Sequence, residues 1–581
     1  MPAKLLIAAL FLVFSTNFLS ASDNSVCPRP PIGSTVTDPV DLHSSNGVLK
    51  VELEYHTSTD EQGRPRYCFL TKDGNLAPNL RMRPGDELIL TLKNDLPPVA
   101  AVPQTMPAHT MHESCTGGTL NASATNLHFH GLVIAPVCHQ DDTLNTAVQP
   151  SDTYEYKFKI PKDQPPGVYW YHPHIHGFAK TQILGGASGA LIIEGIESAN
   201  PEIRGLPERV FVVRDQDLVH PDAEPIPVDG LPPPLVFKDA EGDIINTGTG
   251  TGKPAKDLSI NYVPVTFPEY RPAVIIMRPS VKQFWRVLNA SAITYIDVQV
   301  LFGERPEMLD LIAIDGVSVN HERPSTKFDR FRSHILLPPA GRAEFVVTGP
   351  PKGKDARLVT RSVDTGPVGD NDPVRPLAII KADGNAPEPR VALSKAKLPV
   401  QSDTYVPLIK VKPVRQRLLY FSEKPQDPNN PSSPTQFFLT VDGQTPQQFD
   451  HNSTLPNITV HQGDVEDWII ENRSKELHAF HIHQTHFELL EWNGVPVNEP
   501  FLRDTINVPY WREKATVYPS VKVRMDFRDP KIVGTFAYHC HLLEHQDGGM
   551  MGLIRVEPRA VTKHYSPTKK TVGEKYPATG N

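Results

Sequence analysis

Short runs of alternating apolar and polar residues, broken by turn formers, set the character of this chain. Residues 82–96 read MRPGDELILTLKNDL, residues 277–291 read MRPSVKQFWRVLNAS and residues 461–474 read HQGDVEDWIIENRS. Each has a turn-forming start and then an apolar/polar alternation that ends at or near Asn. That pattern predicts a half-buried antiparallel strand, because successive side chains point to opposite faces. A second repeat links residues 167–195 (GVYWYHPHIHGFAKTQILGGASGALIIEG) with residues 534–558 (GTFAYHCHLLEHQDGGMMGLIRVEP). Both predict a strand, a His-bearing turn, a Gly-rich bend and a closing strand. Three copies of one β-unit imply an all-β chain of three related β-sandwich domains in series, near residues 45–200, 205–395 and 400–560. The middle copy lacks clustered histidines and reads as a spacer that lets the outer two meet. The Pro-rich stretches at 231–235 and 387–399 suit a loop and a linker, and residues 561–581 read as a polar tail.

Composition supports this picture. A chain of 581 residues is too long for a single core. Its 59 prolines and 37 glycines favour turns and short strands over long helices. A net charge of −8 gives no basic footprint, so nucleic acid is not an expected partner. Lys4, the apolar run 5–14 and Leu19-Ser20-Ala21 read as an export signal over residues 1–21, which predicts a secreted or periplasmic protein. The apolar run falls short of the ~20 residues that span a bilayer, and no other segment is apolar enough. Of the five cysteines, Cys27, Cys68, Cys115 and Cys138 lie near the N-terminus. They can form two disulfides in an oxidising compartment, with the pairing open. Asn121, Asn289, Asn452, Asn457 and Asn472 each begin an Asn-x-Ser/Thr triplet.

Cys540 stands apart, between two histidines, in one of four paired motifs: His128-Phe129-His130, His172-Pro173-His174, His481-Ile482-His483 and His539-Cys540-His541. On a strand, His-x-His puts both imidazoles on one side. Four such pairs at matching places in two repeats give eight rings able to converge on a metal cluster. If His539 and His541 face one way, the Cys540 thiolate faces the other, so one tripeptide bridges two metal sites. A thiolate with two imidazoles and a weak axial thioether is the ligand set of a blue copper site. His478, Cys540, His545 and an axial Met550 complete that set. A structural zinc site is instead a closed set of four ligands, commonly with paired cysteines, and explains the histidine count less well.

The segments NLHFHG, YWYHPHIHG, HAFHIH and YHCHLLEHQDGGMM resemble the motifs of the multicopper oxidases, in that family's order. Their wording is closer to bacterial laccases and cuprous oxidases than to large fungal laccases. The resemblance implies three cupredoxin-like Greek-key β-sandwich domains and four copper ions. It assigns His478, Cys540, His545 and Met550 to type 1 copper, and His128 and His481 to type 2. The type 3 pair falls to His130, His172, His174, His483, His539 and His541. It also implies one-electron oxidation of small donors, with electrons passing through Cys540 to a cluster that reduces O2 to water. The expected donors are phenols or aromatic amines, with bilirubin or the metal ions Cu(I), Fe(II) and Mn(II) as alternatives. A copper-free assembly factor on the same fold is the alternative of another class. Nothing in the sequence bears on oligomeric state.

Proton supply is where the chain departs from its relatives. Reducing O2 to water needs acids near the cluster. Asp141, with Asp142 adjacent, best matches the acid those relatives carry after the first His-x-His. Where they have Glu after the type 1 histidine, this chain has Gln546, which cannot donate a proton at neutral pH. His176 and His486 lie just beyond ligand pairs and can either support them or simply pack. Met106, His109, Met111 and His112 form a small cluster in a loop-like stretch, open to transient copper binding.

Overall fold

The structure is a computed structural model that describes residues 25–98, 115, 120–224, 226, 252–320, 328–388, 407–430, 433–453, 455–499 and 501–559. The export-signal segment, the Met106–His112 group, the 231–235 loop, residues 389–399 of the linker and the tail from 560 lie outside them.

Strands dominate and assemble into three cupredoxin-like β-sandwiches. In the first, a five-stranded sheet runs in the order Asp41–His43, Asn79–Met82, Gly189–Ile193, Gly167–His172, His128–His130. It faces a four-stranded sheet of Pro65–Thr71, Val48–Thr59, Glu87–Asn94 and Thr153–Lys159. The third sandwich repeats the plan, with Ile458–His461, Met551–Glu557, Gly534–Cys540, His478–Ile482 and Thr505–Val508 forming its five-stranded sheet. The middle sandwich has larger sheets and its own apolar core around Trp285, Phe345 and Ile275. Among the described residues, no helix is long and apolar enough to cross a membrane.

The Asn that ends each repeated strand has one job in all three copies. Asn94, Asn289 and Asn472 are fully buried. Each accepts a hydrogen bond from the backbone N–H two residues on, of Leu96, Ser291 and Ser474 respectively. Each then donates its amide to two carbonyls: Asn94 to Ser123 and Val148, Asn289 to Thr294 and Leu337, Asn472 to Glu476 and Val508. This side-chain turn satisfies the backbone where the strand stops and ties down the following loop. In the outer sandwiches that loop leads to His128 and His478. With their amides so engaged, Asn289 and Asn472 are closed as glycosylation acceptors in the folded chain.

The alternation expected of the middle copy is not seen. Glu87–Asn94 alternates regularly between buried and half-buried, whereas Lys282–Asn289 is buried along all but its first residue. The second face of that strand is covered because Leu288 and Ala290 pack with Val168, Trp170 and Ile192 of the first sandwich. A buried ionic network crosses the same junction: Glu208 meets Arg81 at 2.6 Å and Arg286 at 3.0 Å. Burial pushes the Glu208 carboxyl up, but the two guanidiniums outweigh it and hold it at about 2. A folded-state value below the unfolded one adds stability above pH ~4.5 that is lost as pH falls toward 2. Glu208→Gln is therefore expected to lower the thermal unfolding temperature at pH 7, by about 3 kcal/mol of stability, and to flatten its decline below pH 4.5. Unfolding scans of both proteins across pH check this.

The four N-terminal cysteines form Cys27–Cys68 and Cys115–Cys138, which settles the pairing left open above. Closing the 41-residue separation of the first constrains the unfolded chain by about 4 kcal/mol on loop entropy alone. Cys540 is free and buried.

Candidate metal centres

Pairing register brings the histidines together within each outer sandwich. His128–His130 runs antiparallel to Gly167–His172 with His128 opposite His172. His478–Ile482 runs antiparallel to Gly534–Cys540 with His481 opposite His539 and Phe480 opposite Cys540. The two sandwiches then meet face to face. His128 stacks on His483 with ring centroids 3.8 Å apart, and His130 stacks on His481 at 3.9 Å. His541 lies edge-on to His130 and His172, at 5.1 and 5.7 Å. Nε2 of His539 sits 3.3 Å from Nε2 of His174 and 3.2 Å from Nε2 of His483. All eight rings are buried.

Outward hydrogen bonds set the tautomers of five of these rings. Nδ1 of His128 donates to Asp141 at 2.9 Å, Nδ1 of His172 to the Pro173 carbonyl at 2.9 Å and Nδ1 of His539 to the Cys540 carbonyl at 3.0 Å. Nδ1 of His481 donates to the Asp504 carbonyl at 2.8 Å, and Nε2 of His130 to the Asp504 carboxylate at 3.2 Å. In a neutral ring the other nitrogen then carries a lone pair. Those inward nitrogens on His128, His130, His172 and His481 have no protein partner among the described residues. Burial, with crowding by the neighbouring rings, pulls the imidazoles well below their usual range and keeps them neutral, His172 at about 3. Converging buried lone pairs without donors repel one another unless a cation lies between them, so the residues fit bound metal.

The second group lies on the other face of the same strand. Sγ of Cys540 is 3.5 Å from Nδ1 of His478 and 3.7 Å from Nδ1 of His545, and those two nitrogens are 3.1 Å apart. Burial pushes the Cys540 thiol up, but the two imidazoles outweigh it and bring it down to about 6, favouring a thiolate. Met550 is buried in the same apolar cluster as Cys540 and Leu542. Its backbone meets both partners: the Cys540 N–H donates to the Met550 carbonyl, and the Met550 N–H to the His545 carbonyl. On the outer side, Nε2 of His478 is 3.0 Å from Glu423 and Nε2 of His545 is 3.2 Å from Glu476. Phe437 stacks on His545 at 4.4 Å.

Asp141 and Asp142 part company. Asp141 is buried, accepts from the Phe129 N–H and from Gln484 as well as from His128, and burial lifts it well above the ordinary carboxylate range. Asp142 turns toward Asn145 and the Cys115–Cys138 bridge. Gln546 is buried and neither amide atom has a protein partner among the described residues. His176 packs against Phe449 and His451, whereas His486 approaches Asp504, at 3.8 Å. Sequence reading missed Asp504, Glu423 and Glu476. None belongs to a motif, and only folding brings them to the rings.

A multicopper oxidase sequence profile matches residues 119–198, and a second matches residues 423–560; together they contain all four histidine pairs. The chain is 22% identical over 496 residues to the multicopper oxidase mco of Staphylococcus haemolyticus, covering 83% of each. It is 22% identical over 475 residues to the iron transport multicopper oxidase FET3 of Gibberella zeae, covering 76% of this chain and 69% of that one. Its fold is similar to that of the Campylobacter jejuni multicopper oxidase described as a metallo-oxidase, with a TM-score of 0.61 at 22% identity over 91% of this chain and 96% of the other. Matched profiles, shared fold and two buried donor sets on one strand agree: the chain belongs to the multicopper oxidases, copper-dependent oxidoreductases that use O2.

Proposed function

We propose that the Cys540 group holds a type 1 copper and the eight-histidine cluster a type 2 copper and a type 3 pair, in an exported oxidase that reduces O2 to water. His478, Cys540 and His545 would hold the type 1 copper, with Met550 packed in the same apolar cluster as Cys540. His128 and His481 hold type 2, and His130, His172, His174, His483, His539 and His541 hold type 3. When bound, copper supplies one-electron oxidation at the first group and O2 reduction at the second. The observation that carries this reading is the 539–541 tripeptide. It gives its thiol to one group and its two imidazoles to the other, and the His539-to-Cys540 hydrogen bond adds a second path between them. Asp141, against His128, is the proposed proton-delivering acid.

The donor edge refines the substrate class. Phenolic or aromatic amine donors suit the half-buried Phe437 ring stacked on His545, with Glu423 and Glu476, on the outer nitrogens of His478 and His545, as carboxylates able to take up the proton released on oxidation. The same carboxylates support a second reading, oxidation of Fe(II) or Cu(I), and disfavour a dicarboxylate such as bilirubin. Steady O2 uptake with a phenol, an aromatic amine, Fe(II), Cu(I), Mn(II) and bilirubin in parallel tests this, with bilirubin expected to be the slowest. Removing one charge about 4 Å from a cation costs about 1 kcal/mol in water, or roughly fivefold, and more at a carboxylate as buried as Glu476, so fivefold is the smallest effect expected. Glu476→Gln should therefore raise KM at least about fivefold for a cationic donor and little for a neutral phenol. Equal effects on both would count against a charge role for Glu476.

A further inference from the structure

One carboxylate touches both halves of the histidine cluster, and its counter-ion comes from the middle sandwich. Asp504 stands just before Thr505–Val508 of the third sandwich and is fully buried. Its carboxylate accepts from Nε2 of His130, a ring of the first sandwich, while its own backbone carbonyl accepts from Nδ1 of His481 in the third. Those rings stack at 3.9 Å with 13° between their planes. The two bonds fix opposite tautomers, so His130 is left with a free Nδ1 and His481 with a free Nε2, and neither nitrogen has a hydrogen-bond partner among the described residues.

Arg342 holds Asp504 in place. It begins the Arg342–Thr348 strand of the middle sandwich and grips the carboxylate with both terminal nitrogens, at 2.7 and 2.5 Å. The same guanidinium donates from Nε to the carbonyl of Val168, on the strand that ends in His172, and its backbone N–H donates to Asp315. A forked guanidinium on a carboxylate fixes direction as well as distance. Thr505 Oγ1 adds a 2.8 Å bond to Asp504. Room for the pair is made by Gly131, directly after His130. A Cβ there would stand 2.6 Å from the Asp504 carboxylate and 2.8 Å from Arg342, and its φ of +86° is one that favours glycine.

We propose that Arg342 and Asp504 are a positioning pair through which the middle sandwich sets the tautomer and placement of His130 and His481, and so the copper affinity of the cluster. This rests on the copper reading above. Removing such an outer partner typically lowers metal affinity ten- to a hundredfold. The test is copper per chain after dialysis of purified copper-loaded protein against graded EDTA, with blue absorption, electron paramagnetic resonance of the type 2 signal and thermal unfolding on the same samples. Arg342→Met and isosteric Asp504→Asn are expected to lose cluster copper at ten- to hundredfold lower chelator and to shift the type 2 signal. The blue absorption should persist, since neither residue touches the Cys540 group. Arg342→Lys, which keeps the charge without the fork, should fall between. Where Arg342→Met does not fold, Asp504→Asn decides. Folded variants that release copper as wild type does, with an unshifted type 2 signal, overturn the pair alone. A wild-type chain that takes up no copper overturns the copper reading and this inference together.

Discussion

Cys540→Ser is expected to abolish both the blue colour of the copper-loaded protein and its O2 uptake, the latter by at least roughly a thousandfold, or about 4 kcal/mol in the barrier. The thiolate supplies the soft ligand of the proposed type 1 site, and a serine hydroxyl does not replace it. The fold should survive. Cys540 is paired through its backbone with Phe480, and serine is slightly smaller, so the cost is a hydroxyl among Phe480, Leu542 and Met550, about 1–3 kcal/mol. His539 and His541 keep their backbone and their inward direction, so copper at the histidine cluster should remain. Absorption and copper content of the variant check the outcome. A variant that stays blue would remove Cys540 from the ligand set.

The second large effect is expected at Asp141. Asp141→Ala removes the acceptor that fixes the His128 tautomer and leaves the Phe129 N–H and the Gln484 amide without their buried partner. It also removes the proposed acid. Loss of a positioned proton donor costs about a hundred- to ten-thousandfold in turnover, so kcat should fall by that much while the blue colour persists. Asp141→Asn separates the two roles, because an amide oxygen still accepts from His128 but the side chain delivers no proton at neutral pH. Near wild-type turnover in Asp141→Asn, with loss in Asp141→Ala, would reassign Asp141 as an orienting residue only. Gln546→Glu adds a second candidate acid and should broaden the pH profile of kcat; an unchanged profile would count against proton supply resting on Asp141.

The histidine pairs were legible because their information is local. A period of two places His539 and His541 together and Cys540 opposite whatever the rest of the chain does. The repeated strand ending in Asn was legible for a similar reason, since Asn94, Asn289 and Asn472 bond to backbone a few residues away as well as to more distant carbonyls. What the chain does not spell out is set between sandwiches. Lys282–Asn289 departs from alternation because the first sandwich covers its second face. Arg342 and Asp504 are 162 residues apart and belong to no motif, yet they meet beside His130. Cysteine pairing was open on spacing alone, and the approach of strand Pro65–Thr71 to the N-terminal segment decides it.

The measurement that tests the central claim most directly is the number of electrons drawn from a donor per O2 consumed, with peroxide assayed in the same vessel. A cluster built by all eight histidines and fed through Cys540 predicts four electrons per O2 and no free peroxide. Two electrons per O2 with stoichiometric peroxide, or O2 uptake that survives Cys540→Ser, would contradict it.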